Sequence, residues 1–210
     1  MNALDPRVTT ILVEAQRVGI IGKAPLESHI DQARAFFSVV ADLVEPSAQV
    51  LDLGSGGGLP GLVVAATWPE LHVALLDGRS NRAENLSAAV ETLGFGDRVQ
   101  VIAQRAEEAG RETRHRHVFD LVVARGFGPP AVTAECAVPF LKVGGLLVVS
   151  DPPGGGMGDR WPEAGSELFG LRVERIQVDP WAFTVLRQVE LCSDTYPRRT
   201  GLPQKRPLFA

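Results

Sequence analysis

The run Val50-Leu51-Asp52-Leu53-Gly54-Ser55-Gly56-Gly57-Gly58-Leu59-Pro60-Gly61 constrains this chain more than any other segment. An apolar strand enters a glycine loop, and a helix follows from about Leu62. Glycine adopts positive φ and lets a backbone approach a ligand closely. Pro60 suits the first turn of that helix, where its missing N–H is no loss. In an open α/β sheet the ligand binds outside the carboxyl end of such a strand, beside a helix N-terminus. The chemistry of the chain is therefore expected within reach of this loop.

Three ligand classes use loops of this kind. A Walker loop needs Gly-Lys-Ser/Thr after its glycines, and no lysine follows Gly58. A dinucleotide loop needs G-x-G-x-x-G; Gly56 to Gly61 satisfies it, but its first glycine comes two residues after Gly54, at the strand end. The third class binds S-adenosyl-L-methionine through an acid followed by alternating glycines. Asp52, Gly54, Gly56 and Gly58 match that pattern in register with the strand. A second apolar strand, Leu71 to Leu76, ends at Asp77, nineteen residues beyond Gly58. An acid there accepts hydrogen bonds from a ribose diol, whichever cofactor carries it. The competing reading of Asp77 is a turn or helix-cap residue ahead of Arg79-Ser80-Asn81.

The chain has 210 residues, 45% of them hydrophobic, enough for one moderate domain with a packed core. Cys136 and Cys192 lack metal-ligand spacing, which argues against a disulfide framework or a zinc site and for a reduced, cytoplasmic protein. No apolar stretch is long enough to span a membrane, and the start of the chain lacks a signal-peptide pattern. The net charge of −4 argues against non-specific coating of nucleic acid. A local basic patch remains: Arg187, Arg198, Arg199, Lys205 and Arg206 near the end of the chain. Either it contacts phosphates or it is a solvated tail.

Residues 5–44 read as two helices, one around Val13, Ala15, Val18, Ile20 and Ile21 and one around Ile30, Ala33, Phe36, Phe37 and Val40. From Gln49 strands and helices alternate, which implies a parallel sheet. Strands are expected at about 49–53, 72–77, 98–103, 119–123 and 146–150, with helices at about 60–67, 80–93 and 130–141. Gly144-Gly145 is expected to turn into the fifth strand, and Asp151 to Gly158 to form a loop. Two further strands, at about 171–178 and 183–191, suit an antiparallel hairpin at the sheet edge. The expected fold is thus a doubly wound α/β, Rossmann-like class I methyltransferase sheet of seven strands. Residues 1–45 would form a helical cap, and residues 46–210 the catalytic domain with its basic tail.

The glycine run is more than generic: it closely resembles the signature of the GidB (RsmG) family of small-subunit ribosomal RNA guanine-N7 methyltransferases. Arg105-Ala106-Glu107 is similar to that family's Arg-Ala-Glu, and Ala124-Arg125-Gly126 to its Ser/Ala-Arg-Ala. The ending Tyr196-Pro197-Arg198-Arg199-Thr200-Gly201-Leu202-Pro203-Gln204-Lys205-Arg206-Pro207-Leu208 resembles its Tyr-Pro-Arg-Lys-Ala-Gly-Thr-Pro-x-Lys-x-Pro-Leu. There are departures. The family's Asn-Leu-Thr is absent, Ser28-His29 replaces its Arg-His, and Ser150-Asp151-Pro152-Pro153 stands where it has Lys-Gly. An acid in place of a base would repel a phosphate.

The resemblance implies an S-adenosyl-L-methionine site formed by Asp52, Gly54, Ser55, Gly56, Gly58, Leu59, Asp77, Ala106, Glu107 and Arg125. It implies a substrate face of His29, Arg105, Arg198 and Arg199, and Arg125 as the catalytic residue. No metal is implied, and the expected partner is small-subunit ribosomal RNA or the subunit itself, met by a monomer. Alternatives stay open for several residues. Glu107 could cap a turn, His29 could pack between helices, and Arg125 could pair with Glu107 or Asp151. Phe127 or Tyr196 could stack on a base or belong to the core. A divergent enzyme acting on a small molecule, or a non-catalytic binder of the cofactor, are the alternative functions.

Overall fold

A run such as Leu121-Val122-Val123-Ala124 has no polar face, so a strand built from it needs cover on both sides of its sheet. The computed structural model describes residues 4–152, 160–177 and 181–209, and it meets that requirement with two helical layers. Two helices come first, α1 (Pro6–Arg17) and α2 (Leu26–Ser38). Then follow β1 (Gln49–Leu53), α3 (Gly61–Thr67), β2 (His72–Leu76), α4 (Ser80–Leu93) and β3 (Val99–Ile102). Next are α5 (Ala106–Ala109), β4 (Phe119–Ala124), α6 (Pro130–Ala137) and β5 (Leu141–Ser150). The last elements are α7 (Glu163–Glu167), β6 (Leu171–Gln177), β7 (Phe183–Gln188) and α8 (Leu202–Lys205).

The seven strands form one sheet in the order β3-β2-β1-β4-β5-β7-β6. The pairs β1–β2, β1–β4, β2–β3 and β4–β5 are parallel, while β7 runs antiparallel to β5 and to β6. A parallel sheet of seven strands with an antiparallel hairpin at its edge is what the sequence led one to expect; the strand order comes from the structure. Successive side chains of a strand point to opposite faces. Accordingly Val50, Val73, Val123 and Val148 enter a core shared with α1 to α4, and Leu51, Ala74, Val122 and Leu147 enter a second core with α5 and α6. Phe36 of α2 reaches towards the antiparallel edge of the sheet, with its ring 4.7 Å from that of Phe183 on β7.

Several expectations shift locally. Val13 and Val18 are exposed; α1 buries Val8 and Leu12 instead, because that stripe lies four residues apart on one helical face. Pro60 is the N-cap of α3, one position before its first turn. The helix expected to reach residue 141 ends at Ala137 and tightens into a 3-10 turn over Val138–Phe140, since Pro139 has no N–H for an α-helical bond. Gly144-Gly145 does not precede β5 but lies inside it, where pairing jumps from Phe119↔Leu141 to Leu121↔Leu146 as a bulge. Of the loop expected from Asp151 to Gly158, only Asp151 and Pro152 are among the described residues.

The tightest fit is where α3 meets the sheet. The Gly61 N–H donates to Asp52 Oδ2 at 2.8 Å. A Cβ at Gly61 would lie 2.3 Å from Leu75 Cδ2 and 2.6 Å from Asp52 Oδ2. Gly61→Ala is therefore expected to destabilise the fold by about 1–3 kcal/mol, the usual cost of overpacking. Urea unfolding checks this; a midpoint equal to wild type would show that the helix can move away freely.

Candidate active site

The carboxyl ends of β1 to β4 surround a cavity of about 410 Å3, lined among others by Gly54, Asp77, Arg105, Ala106, Phe127 and Gln204. Small-molecule sites commonly measure roughly 300–1,000 Å3. Gly54, Gly56 and Gly58 all have positive φ, at 80°, 56° and 95°. At Gly54 the absence of a side chain also admits Phe127, whose Cδ2 would stand 2.7 Å from a Cβ.

Two carboxyl groups shape the loop from within. Asp77 is buried, its Oδ2 accepting from Gly56 N and its Oδ1 from Arg79 N, both at 2.9 Å. The turn-cap reading of Asp77 is thus realised. Each carboxylate oxygen keeps a second lone pair, so a ribose diol can still donate to it. Asp52 is buried as well, with Oδ2 on Gly61 N and Oδ1 without a partner. Burial pushes its carboxyl up to about 7, against the opposing pull of the Gly61 N–H and the Arg125 charge. Ser55 and Leu59 are buried in the loop's own packing, where the Ser55 hydroxyl donates to Asp52 O at 3.0 Å.

Ala106 and Glu107 line the cavity, yet the Glu107 carboxylate is already engaged. Its Oε1 accepts from Gly201 N at 2.9 Å and lies 3.4 Å from the Arg105 guanidinium. Burial raises this carboxyl, but those donors outweigh it and hold it below its ordinary value. Arg105 itself is half exposed at the cavity.

Arg125 takes neither of the carboxylate partners considered from the sequence. It precedes Gly126 and Phe127 of the cavity wall, and its own side chain turns to α2. There the guanidinium donates to His29 Nδ1 at 2.5 Å, and His29 Nε2 lies 3.0 Å from Gly22 O. Asp151 is held elsewhere, by Arg160 and by the Thr184 hydroxyl at 2.6 Å. An ion-paired Asp151 offers little repulsion to a phosphate, so the charge conflict expected from the sequence is relieved.

The basic tail divides into anchored and exposed residues. Arg198 donates through its Nε and a terminal nitrogen to both oxygens of Glu135, at 2.8 and 2.6 Å, and its backbone N–H adds a third bond. Arg187 pairs with Glu174 on the neighbouring strand. Arg199, Lys205 and Arg206 are exposed. Tyr196 packs edge-on against Phe169, 4.9 Å between ring centroids, and so belongs to the core, whereas Phe127 lines the cavity. Sequence reasoning passes over Glu135 and Gln204. A fully buried acid in the apolar helix Pro130–Ala137 is a legible signal for the first; nothing local marks the second.

A family model described as rRNA small subunit methyltransferase G matches residues 26–150, more than half of the chain. The chain belongs to this family. Curated relatives agree. A ribosomal RNA small subunit methyltransferase G of Moorella thermoacetica is 34% identical over 179 residues, covering 79% of this chain and 71% of the relative. One from Thermotoga sp. is 35% identical over 197 residues, covering 88% and 84%. Among solved structures, a putative O-methyltransferase from Klebsiella pneumoniae matches with a TM-score of 0.61 at 15% identity, over 89% of this chain and 91% of that one. A putative sarcosine dimethylglycine methyltransferase from Galdieria sulphuraria matches at 0.59 and 14%, over 76% and 85%. These two share the class I methyltransferase fold.

Membership of this methyltransferase family makes S-adenosyl-L-methionine the cofactor, and the cavity suits it. Asp77 has free acceptor capacity, and Gly54 at the start of the glycine loop lines the cavity beside it. Among the described residues no group of three or more His, Cys, Asp or Glu side chains could hold a metal ion, and no helix is long and apolar enough to cross a membrane.

Asp52 carries a pH signature. Its ordinary value is 3.8 and its folded value about 7, so the folded chain keeps a proton that the unfolded chain releases. The stability from that proton is complete below the unfolded value and is lost as pH rises through the folded one. Asp52→Asn, uncharged throughout, is expected to gain stability relative to wild type as pH rises from about 4 to about 8, by an amount on the order of 4 kcal/mol at most. Thermal melts across that range check it; a gap independent of pH would mean that Asp52 ionises normally.

Proposed function

We propose that the chain transfers the methyl group of S-adenosyl-L-methionine to N7 of a guanine in small-subunit ribosomal RNA. One observation carries the reading: Gly54 at the start of the glycine loop, Asp77 and the Arg105-Ala106-Glu107 segment meet around one cavity in a chain of this family. When bound, the cofactor supplies an electrophilic sulfonium methyl. Asp77 would hold its ribose, and the backbone at Ala106 and Glu107 would hold its adenine. Guanine N7 has an exposed lone pair, so attack needs no general base, and none is required of this site. The protein's task is alignment, which is catalysis by proximity and orientation.

Arg125, at the carboxyl end of β4, holds the guanine or its flanking phosphate in line. Phe127, beside Gly54, offers a stacking face for an extruded base. Arg105, Arg199, Lys205 and Arg206 supply exposed cations for the RNA backbone. Arg198, committed to Glu135, supports this surface by holding the tail in place.

Transfer of labelled methyl to small subunits from a strain lacking this gene tests the reading. Label recovered as 7-methylguanosine at one site is the expected result; no label from a preparation shown to bind the cofactor would refute it. Asp77→Ala is expected to weaken cofactor binding about tenfold or more, the effect of losing a charged hydrogen-bond acceptor. Calorimetry reads this, and unchanged affinity would remove Asp77 from the site. Replacing Arg199 and Lys205 with alanine should reduce the salt dependence of RNA binding by a slope of about two. An unaltered slope would place both side chains off the RNA.

A further inference from the structure

We propose that His29 is a positioning residue that acts through Arg125, presenting a neutral Nδ1 lone pair that fixes the guanidinium. The inference rests on the reading of Arg125 as the group at the transfer end of the site. Its evidence is geometric. The imidazole bridges two groups of opposite hydrogen-bonding character, with Nε2 at 3.0 Å from Gly22 O and Nδ1 at 2.5 Å from the Arg125 guanidinium. A carbonyl only accepts and a guanidinium only donates. Nε2 must therefore carry the hydrogen, and Nδ1 must be bare.

The ring is itself held. It is buried on α2, and Gly22 O also accepts from Gln16 Nε2 at 2.7 Å, which in turn donates to Ala24 O at 2.9 Å. This ties the turn between α1 and α2 to the ring, and the ring to Arg125. The choice of partner has a chemical consequence. A carboxylate would fix the guanidinium but cancel its charge. A neutral imidazole fixes it and leaves the positive charge available to guanine O6 or a phosphate. Asp52 faces Arg125 only through space, with no hydrogen bond between them among the described residues.

The test uses His29→Ala, His29→Gln, Arg125→Ala and the double variant His29→Ala/Arg125→Ala, in methyl transfer to the small subunit at saturating cofactor. His29→Ala is expected to lower kcat roughly ten- to hundredfold, the scale set by misplacing a group in the site. His29→Gln is expected to restore most of it, since its amide oxygen can accept from Arg125 and its N–H can donate to Gly22 O. In the Arg125→Ala background, His29→Ala should cause no further loss. An equal loss in both backgrounds would overturn the proposal, because His29 would then act independently of Arg125. Nitrogen NMR of the histidine-labelled protein gives a readout that needs no activity. Nδ1 of His29 is expected unprotonated and Nε2 protonated, and a protonated Nδ1 in the folded protein overturns the proposal. Full transfer by Arg125→Ala with that tautomer intact would instead show that the reading of Arg125 itself has failed.

Discussion

Two buried carboxyl groups at the ends of adjacent strands organise everything around them. Asp52 receives the first N–H of α3, and Asp77 receives the N–H groups of Gly56 and Arg79. Backbone donors in a sharp loop lack partners of their own, and leaving them buried and unmet would be costly. The two side chains satisfy them, and this lets three glycines with positive φ follow β1 without loss of order. Without these bonds the helix would not seat against the sheet, and the cavity at the strand ends would lose its wall.

The same use of acids recurs on the other side of the cavity. Glu107, Glu108 and Glu135 receive donors from the tail: Gly201 N, the Thr200 hydroxyl and Arg198. A segment that reads as a solvated basic extension is thereby folded onto α5 and α6. It brings Gln204 to the cavity and leaves Arg199, Lys205 and Arg206 facing outward. The division of labour among the arginines follows from which of them meets a buried acid. Arg198 does, and its charge is neutralised in holding the tail; Arg125 meets a histidine, and its charge is retained.

Much of this is legible along the chain. The strand and helix order, the αL Gly94 that closes α4, and the hairpin at the sheet edge follow from apolar periodicity and breaker residues. The pairing of glycine loop and acid also marks the cavity. Boundaries shift where a local rule is overridden: Pro139 ends a helix early, and a bulge absorbs Gly144-Gly145 within β5. Val13 and Val18 lie outside the core because a short apolar group suits more than one helical face until a partner surface selects one.

The sequence by itself determined the fold class, the family and the location of the glycine loop, because each is written in local patterns: period, spacing and the steric freedom of glycine. Only the tertiary structure decided which side chain each charged group meets. Arg125 with His29 spans ninety-six positions, and Arg198 with Glu135 spans sixty-three. Such pairs are set by how strands and helices stack, since a charge selects its partner by distance in space and not along the chain.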